Sequence, residues 1–504
     1  MFAMALIDQP THICLQSVAD ISLTRGYIHY MRHKKYVRVY PPLSDFSKLE
    51  SSTQSRRLLW SLRWWLPLLV VLIFIMVSCG GSSGGTNTVA NANAGPSTTP
   101  TSPSVNPTPS TPPNSTLSGS SGATSTTTTT PGSTNTTAPP QPAGALVVTE
   151  ITAGLASPWG MAFLPGGSAL VTERAGTLRI VSPAGTVSAA ITGVPLVDSR
   201  GQGGLLDVVL DPAFANNQRI YLSFAKPSAN AADGNSTAVA RAVLNPATLA
   251  LGQVTVIFEQ LPKAASTGHF GSRLVFDNNG YLFVTLGDRQ NNDQRAFAQD
   301  LTRGHGKVMR ITTDGAAAPG NPNLGANAQS TIWSYGHRNP QGAALHPSTG
   351  ELWVNEHGAQ GGDELNLALA GKNYGWPLAS YSQEYGTTSP VGTTSLPGMT
   401  LPVSYWLTRD GSAFTGGSQS SIAPSGMAIY TADKFPEFQG NVFLGALAGT
   451  ALWRVVLGGA DGKTGVFRER LLASRGERIR DVRVGPDGWI YLLTDSGKLL
   501  RVSK

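Results

Sequence analysis

Hydrophobic and polar positions alternate in short runs from Ala145 to Lys504, and one unit recurs six times along this part of the chain. Each unit has an apolar run, a turn containing Pro, Asp, Asn or Gly, and a second apolar run that ends in polar residues. The units begin at Gly160, Leu205, Ser272, Gly342, Ser425 and Ile479. Such units predict β-hairpins, and no comparable stretch of helical periodicity separates them.

Hairpins that recur at intervals of roughly 45–85 residues are typical of propeller blades joined by variable insertions. The six units therefore predict an all-β fold over 145–504, a six-bladed β-propeller of four-stranded antiparallel blades. A β-sandwich would also contain many hairpins, but a recurrent unit favours the propeller. Because a propeller gathers equivalent strand ends around one axis, residues that are far apart in sequence meet at one mouth.

An apolar run of about 14 residues, Trp64–Val77, has the length of a signal-peptide core and is short for a membrane span. The Ser78-Cys79 pair that follows resembles a bacterial lipoprotein cleavage site, although Met76 stands where leucine is usual. We therefore predict that 1–79 is an N-terminal lead with a lipoprotein-type signal. The alternative is an uncleaved anchor.

Residues 80–144 are almost wholly Ser, Thr, Pro, Asn, Gly and Ala, so they cannot bury enough apolar surface to offset the entropy of ordering. They are predicted to be a disordered linker between the signal segment and the propeller. The propeller would then lie outside the cytoplasm, in the periplasm or on the outer cell surface. It would be tethered to the membrane through lipidated Cys79 or through the anchor.

Composition excludes several classes of function. The net charge of +7 comes partly from the N-terminal lead, and no basic stripe interleaved with aromatic residues follows, so no nucleic-acid partner is predicted. The two cysteines, Cys14 and Cys79, lie outside the predicted propeller. A disulfide, a cysteine metal site and thiol catalysis are therefore not expected in the propeller.

A histidine and an aspartate flank the third hairpin. His269 precedes the hairpin and Asp288 ends its second strand, and this spacing is compatible with contact at one edge of a blade. A histidine with a carboxylate partner is a plausible general base. The alternative is a histidine whose hydrogen bonds are satisfied within a turn.

Other polar residues recur at matching places before the repeats. They are Gln202, Arg338, Asn339, Gln341, Arg478 and Arg480. Alternate strand residues point the same way, so Arg478 and Arg480 would form a paired anion site. Each residue alone is more often part of a solvated surface. Arginines from separate repeats at one mouth indicate a small ligand with several carboxylates.

Three carboxylates in the fourth repeat, Glu356, Asp363 and Glu364, are hard oxygen ligands of the kind that calcium prefers. Their spacing is not that of an EF-hand loop, so any site would be irregular. These residues alone do not establish calcium.

Five segments, in order through nearly all of 145–504, resemble the soluble PQQ-dependent glucose and aldose sugar dehydrogenases. They read GQGGLLDV, GHFGSRLVF with VTLGD, YGHRNPQG, NEHG with GGDELNL and GKNYGWP, and RIRDV with PDG and YLLTD. The resemblance implies a six-bladed propeller that binds pyrroloquinoline quinone (PQQ) and calcium at its mouth and oxidises aldose sugars at C1 to lactones.

By this resemblance, His269 takes the proton of the C1 hydroxyl, Asp288 orients His269, and the C1 hydride passes to the quinone. Arg338 would polarise the quinone carbonyl. The implied cofactor contacts are Gln202, Arg338, Asn339, Gln341, Tyr385, Arg478 and Arg480. The implied metal residues are Gly358 and Ala359, through backbone carbonyls near the cofactor, and Glu364 and Tyr374 at a second calcium site.

One position departs from the family pattern. Ala448 stands where the family usually has a lysine that contacts a PQQ carboxylate, so one charge-assisted contact is missing. Two alternatives therefore stay open: a binding propeller that has lost the cofactor, and a calcium-dependent lactone hydrolase on a similar propeller. The chain has no C-x-x-C-H haem motif, so a dehydrogenase would pass its electrons to a separate acceptor.

Overall fold

A computed structural model describes residues 142–230 and 233–504, which form six antiparallel sheets. Each of the six predicted hairpins forms the two inner strands of one sheet, so the six-bladed propeller is confirmed. The strands are β1 (Val147–Thr152), β2 (Pro158–Phe163), β3 (Ala169–Glu173), β4 (Thr177–Val181), β5 (Leu205–Leu210), β6 (Arg219–Pro227), β7 (Asn235–Asn245), β8 (Ala250–Glu259), β9 (Leu274–Phe276), β10 (Leu282–Leu286), β11 (Lys307–Ile311), β12 (Ile332–Tyr335), β13 (Pro340–Leu345), β14 (Leu352–Glu356), β15 (Asp363–Leu367), β16 (Ser404–Trp406), β17 (Pro424–Ile429), β18 (Val442–Ala446), β19 (Ala451–Gly458), β20 (Thr464–Leu471), β21 (Ile479–Val484), β22 (Ile490–Thr494) and β23 (Leu499–Ser503).

Helices in the described residues are single turns in the connections between strands. They are the α-helix α1 (Phe214–Asn217) and the 3₁₀-helices Arg295–Ala298, Pro436–Phe438 and Ala473–Arg475. The fold is therefore nearly all-β, as the hydrophobic pattern predicts.

Five sheets have four strands, and the sheet β2-β3-β4 has three. The four-stranded antiparallel blades that the sequence predicts are thus present, and this blade is an exception to the strand number. After β4 the chain makes one isolated bridge from Val187 to Val181, and then Thr192 pairs in parallel with Ala250 of the neighbouring blade. The segment that would supply a fourth strand is therefore divided between two blades.

The two ends of the described chain close the ring within one blade. Strand β1 pairs antiparallel with β23, so the last sheet has the order β1-β23-β22-β21. Ahead of β1, the backbone N–H of Ala143 donates to Glu469 of the adjacent blade at 3.0 Å. Hydrogen bonds, rather than a disulfide, therefore join the first and last parts of the propeller.

One edge strand of each sheet lies next to the axis, and these inner strands, β2, β5, β9, β13, β17 and β21, contact one another in sequence order around it. Five of the six carry a β-bulge near their N-terminal end. The shifts in register fall between Pro158 and Met161, Leu205 and Val208, Pro340 and Gly342, Pro424 and Met427, and Ile479 and Asp481. Bulges redirect side chains and are common beside functional sites.

Apolar side chains between adjacent sheets form the core. One cluster joins Trp353, Trp406 and Trp453 from two neighbouring blades, and all three side chains are buried. The alternation of inward and outward residues that predicts hairpins therefore also supplies the contacts that join the blades.

The predicted signal segment, Cys79 and nearly all of the linker lie outside the described residues, so these assignments stay predictions. In the part of the chain that the structure describes, no helix is long and apolar enough to cross a membrane.

Candidate active site

The N-terminal ends of the inner strands meet at one mouth of the propeller, and most of the predicted site residues lie there. His269 lies in the loop before β9 with a backbone φ of +47°, in the left-handed region. A Cβ on Gly287 would lie 2.1 Å from the carbonyl oxygen of His269, so glycine is required at 287. This packing fixes His269 in a conformation that few side chains adopt.

His269 and Asp288 are in contact, as their spacing suggested. His269 Nδ1 lies 2.6 Å from Asp288 Oδ1, and both side chains are buried. Burial and the positive charge of Arg338 lower the pKa of His269, against the opposing effect of Asp288. Burial alone would raise the pKa of Asp288, but His269 and Arg338 outweigh it and lower that pKa. The pair is therefore a neutral imidazole beside a carboxylate.

The remaining contacts of Asp288 fix which imidazole nitrogen is free. Asp288 Oδ1 accepts a hydrogen bond from the backbone N–H of Gln290 at 2.9 Å, and Oδ2 accepts one from Trp376 Nε1 at 2.8 Å. An ionised carboxylate can only accept, so His269 carries its proton on Nδ1. Nε2 is then left with a lone pair that can take a proton.

Trp376 links this pair to Arg338, because the Arg338 guanidinium carbon lies 5.1 Å from the centre of the indole ring. Arg338 Nη1 donates to the carbonyl of Gly358 at 2.6 Å, and Nη2 donates to the hydroxyl of Tyr385 at 3.0 Å. The Tyr385 side chain is largely exposed at the rim. The guanidinium is thus held in one place beside the His269–Asp288 pair.

Two buried donors at this position have no protein partner within the described residues. They are Arg338 Nε and Asn339 Nδ2, whereas Asn339 Oδ1 accepts from the backbone N–H of Gly271 at 3.1 Å. A buried donor without a partner is costly, and an acceptor on a ligand would satisfy it.

Arg478 and Arg480 both contact Asp495. Arg478 Nε lies 2.9 Å from Asp495 Oδ2 and Arg480 Nε lies 2.9 Å from Asp495 Oδ1. Arg480 Nη1 also donates to Gln341 Oε1 at 3.1 Å. The predicted pair of arginines is therefore present, but it shares one carboxylate that sequence analysis did not identify.

A cavity of about 310 Å³ opens at the mouth. It is lined by Trp159, Arg174, Gln202, Gln341, His357, Ala423, Leu447, Ala448, Arg478 and Arg480. Gln202 Oε1 accepts from the backbone N–H of His269 at 2.9 Å, which joins this cavity to the candidate base. Burial and the nearby Arg338 lower the pKa of His357 to about 3, so His357 is neutral.

The residues predicted to bind metal form two groups. The carbonyl of Gly358 faces the Arg338 guanidinium, and the backbone N–H of Ala359 donates to Ser382 Oγ at 3.0 Å. The Arg338 guanidinium therefore contacts one of the two carbonyls that are predicted to bind calcium.

Glu364 and Tyr374 line a second, smaller cavity of about 10 Å³ together with Glu356 and Arg338. Glu356 and Glu364 are directly opposite each other on β14 and β15. Burial beside Glu356 raises the pKa of Glu364. The Tyr374 hydroxyl donates to the carbonyl of Leu367, so it is already satisfied. Two buried carboxylates beside a cavity of this size would suit one cation, because each destabilises the charge of the other.

Within residues 142–230 and 233–504, no group of three or more His, Cys, Asp or Glu side chains could hold a metal ion. A calcium ion at this mouth would therefore need backbone carbonyls as well as carboxylates.

Trp376, Arg174, His357 and Asp495 contribute to the mouth, although sequence analysis assigned no role to them. Trp376 lies in the GKNYGWP segment and could have been noticed there. Asp495 ends the YLLTD segment, in the same hairpin as Arg478 and Arg480, so the spacing that pairs His269 with Asp288 could have identified it. Arg174 follows β3 in the first repeat, and nothing in that sequence marks it, because its contacts are with the neighbouring blade.

Replacing Trp376 with phenylalanine should raise the pKa of His269. The variant keeps a ring under Arg338 but removes the N–H that stabilises Asp288 as an anion. The negative charge of Asp288 then interacts more strongly with the protonated imidazole. NMR titration of the His269 ring in both proteins measures the change. An unchanged or lower pKa would show that the indole only fills space, and Trp489→Phe provides a control at an aromatic contact outside the mouth.

Comparison with known proteins identifies the family. The family model for Glucose / Sorbosone dehydrogenase matches residues 155–501. The chain is 44% identical over 352 residues to the aldose sugar dehydrogenase YliI of Escherichia coli K12, which covers 69% of this chain and 90% of that protein.

Solved structures agree with this result. A glucose dehydrogenase crystal structure is 46% identical with a TM-score of 0.65, and the match covers 71% of this chain and 99% of that one. The PQQ-bound form of an aldose sugar dehydrogenase from Streptomyces coelicolor is 29% identical with a TM-score of 0.58, over 72% and 99% of the two chains.

The fold and the mouth define a β-propeller oxidoreductase whose polar centre is built from the ends of its inner strands. The chain belongs to the Glucose / Sorbosone dehydrogenase family.

Proposed function

We propose that this protein oxidises aldose sugars at C1 to lactones, with PQQ as the bound electron acceptor and His269 as the general base. The observation that carries the proposal is the buried His269–Asp288 pair beside Arg338, at a mouth lined by further arginines. A relative that matches 72% of this chain has been solved in its PQQ-bound form, which supports the choice of cofactor.

The residues at the mouth fit PQQ, which is a flat quinone with three carboxylates. Arginines line the 310 Å³ cavity, and Arg338 Nε and Asn339 Nδ2 are donors without protein partners in the described structure. Acidic side chains are not among the residues that line this cavity. Both features suit an anionic ligand that carries carbonyl oxygens.

When bound, PQQ would supply the two-electron oxidant for the sugar. His269 Nε2 would accept the proton of the C1 hydroxyl, since Nδ1–H is held by Asp288. Asp288 keeps the imidazole in this tautomer and stabilises the positive charge that develops on it. Burial and the charge of Arg338 lower the pKa of His269, which favours the neutral form that can act as a base.

Arg338 would stabilise negative charge that develops on the acceptor. Its guanidinium is fixed by the carbonyls of His357 and Gly358 and by Tyr385, so little reorganisation is needed during the reaction. Gln202, Asn339, Gln341, Arg478 and Arg480 would hold the polar edge of the cofactor.

Calcium is also part of the proposal. The carbonyls of Gly358 and Ala359 would face an ion near the cofactor, and the Arg338 contact to Gly358 would then have to be shared or exchanged. Glu364, beside Glu356 and Tyr374, would hold a second ion. Calcium at this second site would relieve the mutual repulsion of the two carboxylates.

Reconstitution tests the function. The purified full chain is titrated with PQQ in the presence of Ca²⁺, and glucose and other aldoses are then added with an electron-accepting dye. Tight PQQ binding with sugar-dependent reduction of the dye is expected. A chain that binds no PQQ would instead favour a cofactor-free binding propeller, the alternative that Ala448 suggests.

Replacing Arg478 with alanine should weaken PQQ binding about 3- to 10-fold and change the rate of the saturated enzyme little. The effect is moderate because half of the Arg478 side chain is exposed and Arg480 retains Asp495. The dissociation constant for PQQ and kcat at saturating PQQ are measured separately. An unchanged PQQ affinity would contradict the anion-site assignment.

A calcium-dependent lactone hydrolase would need a cage of free carboxylates at the axis. The buried carboxylates there, Asp207 and Asp481, are each within 3.2 Å of arginine side chains. These arginines already neutralise them, so the structure offers this alternative no support.

We also propose that the propeller acts outside the cytoplasm, tethered through Cys79 or the apolar run before it, and passes electrons to a separate acceptor. The support for this is the sequence of residues 64–79 and the absence of a haem motif from the chain. Membrane fractionation of the wild type and of Cys79→Ser distinguishes lipid anchoring from an uncleaved anchor, which the variant would retain.

A further inference from the structure

Arg174 lines the mouth cavity from the blade of β2–β4, whereas Arg478 and Arg480 line it from the blade of β21–β23. Its Nε donates to the carbonyl of Gly203 at 3.1 Å, and Nη2 donates to the carbonyl of Gly201. Two backbone contacts therefore fix the guanidinium plane. Within the described residues, Nη1 donates no hydrogen bond.

The positive charge of Arg174 is not neutralised by a carboxylate. No ion pair in the described structure includes Arg174, whereas Arg478 and Arg480 share Asp495. Burial and the positive charge of Arg480 lower the pKa of Arg174, against the opposing effect of Asp495. Three guanidinium groups therefore face this cavity with one carboxylate among them, which leaves an excess of positive charge.

The remaining side chains that line the cavity carry no positive charge that could neutralise an anionic ligand. Leu447, Ala448, Ala423 and Trp159 carry no charge, and His357 is neutral. The blades that carry Arg174 and the Arg478–Arg480 pair are adjacent, so the three guanidinium groups form one cationic side of the cavity that suits a ligand with more than one carboxylate. Arg174 is the remaining arginine among the lining residues.

We propose that Arg174 is a carboxylate-binding residue of the cofactor site and, with Arg478 and Arg480, selects a quinone that carries more than one carboxylate. This inference rests on the function proposed above. Because Arg174 also holds the carbonyls on either side of Gln202, it positions the loop that contacts the backbone of His269. Ligand binding and placement of this loop would therefore be coupled.

The test compares wild type, Arg174→Met and Arg174→Lys, titrated as full-length proteins with PQQ and with the trimethyl ester of PQQ. Quenching of tryptophan fluorescence reports binding without turnover, and Trp159 lines the cavity. Loss of a charge-assisted contact should weaken PQQ binding about 10- to 150-fold in Arg174→Met, with a smaller loss in Arg174→Lys. The ester should lose less affinity than PQQ in Arg174→Met, because its carboxylates carry no charge and only the effect on the loop remains.

Arg179→Met provides a matched control, because Arg179 lies on β4 of the same blade and pairs with Glu173 outside the cavity. Its affinity for PQQ should equal that of wild type. Equal PQQ binding by wild type and Arg174→Met would overturn the role of Arg174 alone. Equal losses for PQQ and its ester would also overturn it, since they indicate a distorted site. Failure of wild type to bind PQQ would overturn both this inference and the proposed function.

Discussion

Replacing His269 with alanine is expected to lower kcat by about 10²- to 10⁴-fold while PQQ still binds. His269 has the only imidazole that contacts Asp288 in the described structure. The backbone N–H of residue 269 can still donate to Gln202, so the loop at the cavity should persist. The variant thus removes the proton acceptor and spares the arginines that would hold the cofactor.

The measurement separates the chemical step from cofactor binding. The dissociation constant for PQQ is determined first, and sugar-dependent dye reduction is then followed at saturating PQQ. His346→Ala is the control, because His346 lies in a turn after β13 and makes only local contacts. A His269→Ala enzyme with the rate of His346→Ala would show that another group accepts the proton.

The pH dependence of the wild type follows from the same assignment. The base must be neutral, and burial places the pKa of His269 below its ordinary value of 6.5. The acid limb of kcat/KM should therefore fall below pH 6.5, where a solvent-exposed histidine would already be protonated.

The sequence predicts the fold well because each blade repeats a local signal. The six hairpins have apolar runs and turn residues that need no tertiary information, and all six form. The number of strands per blade is harder to predict, because outer strands are less regular. The segment after β4 pairs partly with Ala250 of the next blade, and this pairing depends on the placement of that blade.

The site is partly predictable for a similar reason. The His269–Asp288 contact follows from a single hairpin, and the structure contains it. The Asp495 contacts of Arg478 and Arg480 also lie within one hairpin and could have been predicted in the same way. The contacts of Arg174 with the loop around Gln202 and the Trp376–Asp288 hydrogen bond join different blades. Such contacts are set by the closure of the ring, which local patterns do not encode.

Arg273 illustrates a residue whose motif is visible although its physical role is not. It belongs to the segment that resembles the sugar dehydrogenases, yet it lies beneath the mouth and is fully buried. Its Nη1 is 2.8 Å from Asp207 and 3.0 Å from Asp481, and Nε donates to the carbonyl of Gln341 at 3.0 Å. These partners come from three other blades, so Arg273 links the inner strands of four blades at the centre of the propeller.

Replacing Arg273 with alanine should lower the free energy of unfolding by about 3–5 kcal/mol, the usual cost of breaking a buried ion pair. Asp207 and Asp481 would be left with Arg483 as their remaining cationic partner in the described structure, at 3.0 and 3.2 Å. Two buried carboxylates would then share one guanidinium, and the carbonyl of Gln341 would lose its donor.

Urea unfolding of wild type, Arg273→Ala and Lys434→Ala measures the difference. Lys434 is 3.6 Å from Asp433 on the surface, with 40% and 83% of the two side chains exposed, so its removal should cost at most about 1 kcal/mol. If Arg273→Ala is no less stable than Lys434→Ala, the buried network does not stabilise the propeller. A large loss would instead show that Arg273 is needed to hold the inner strands together. Its role beneath the mouth would then be structural and not catalytic.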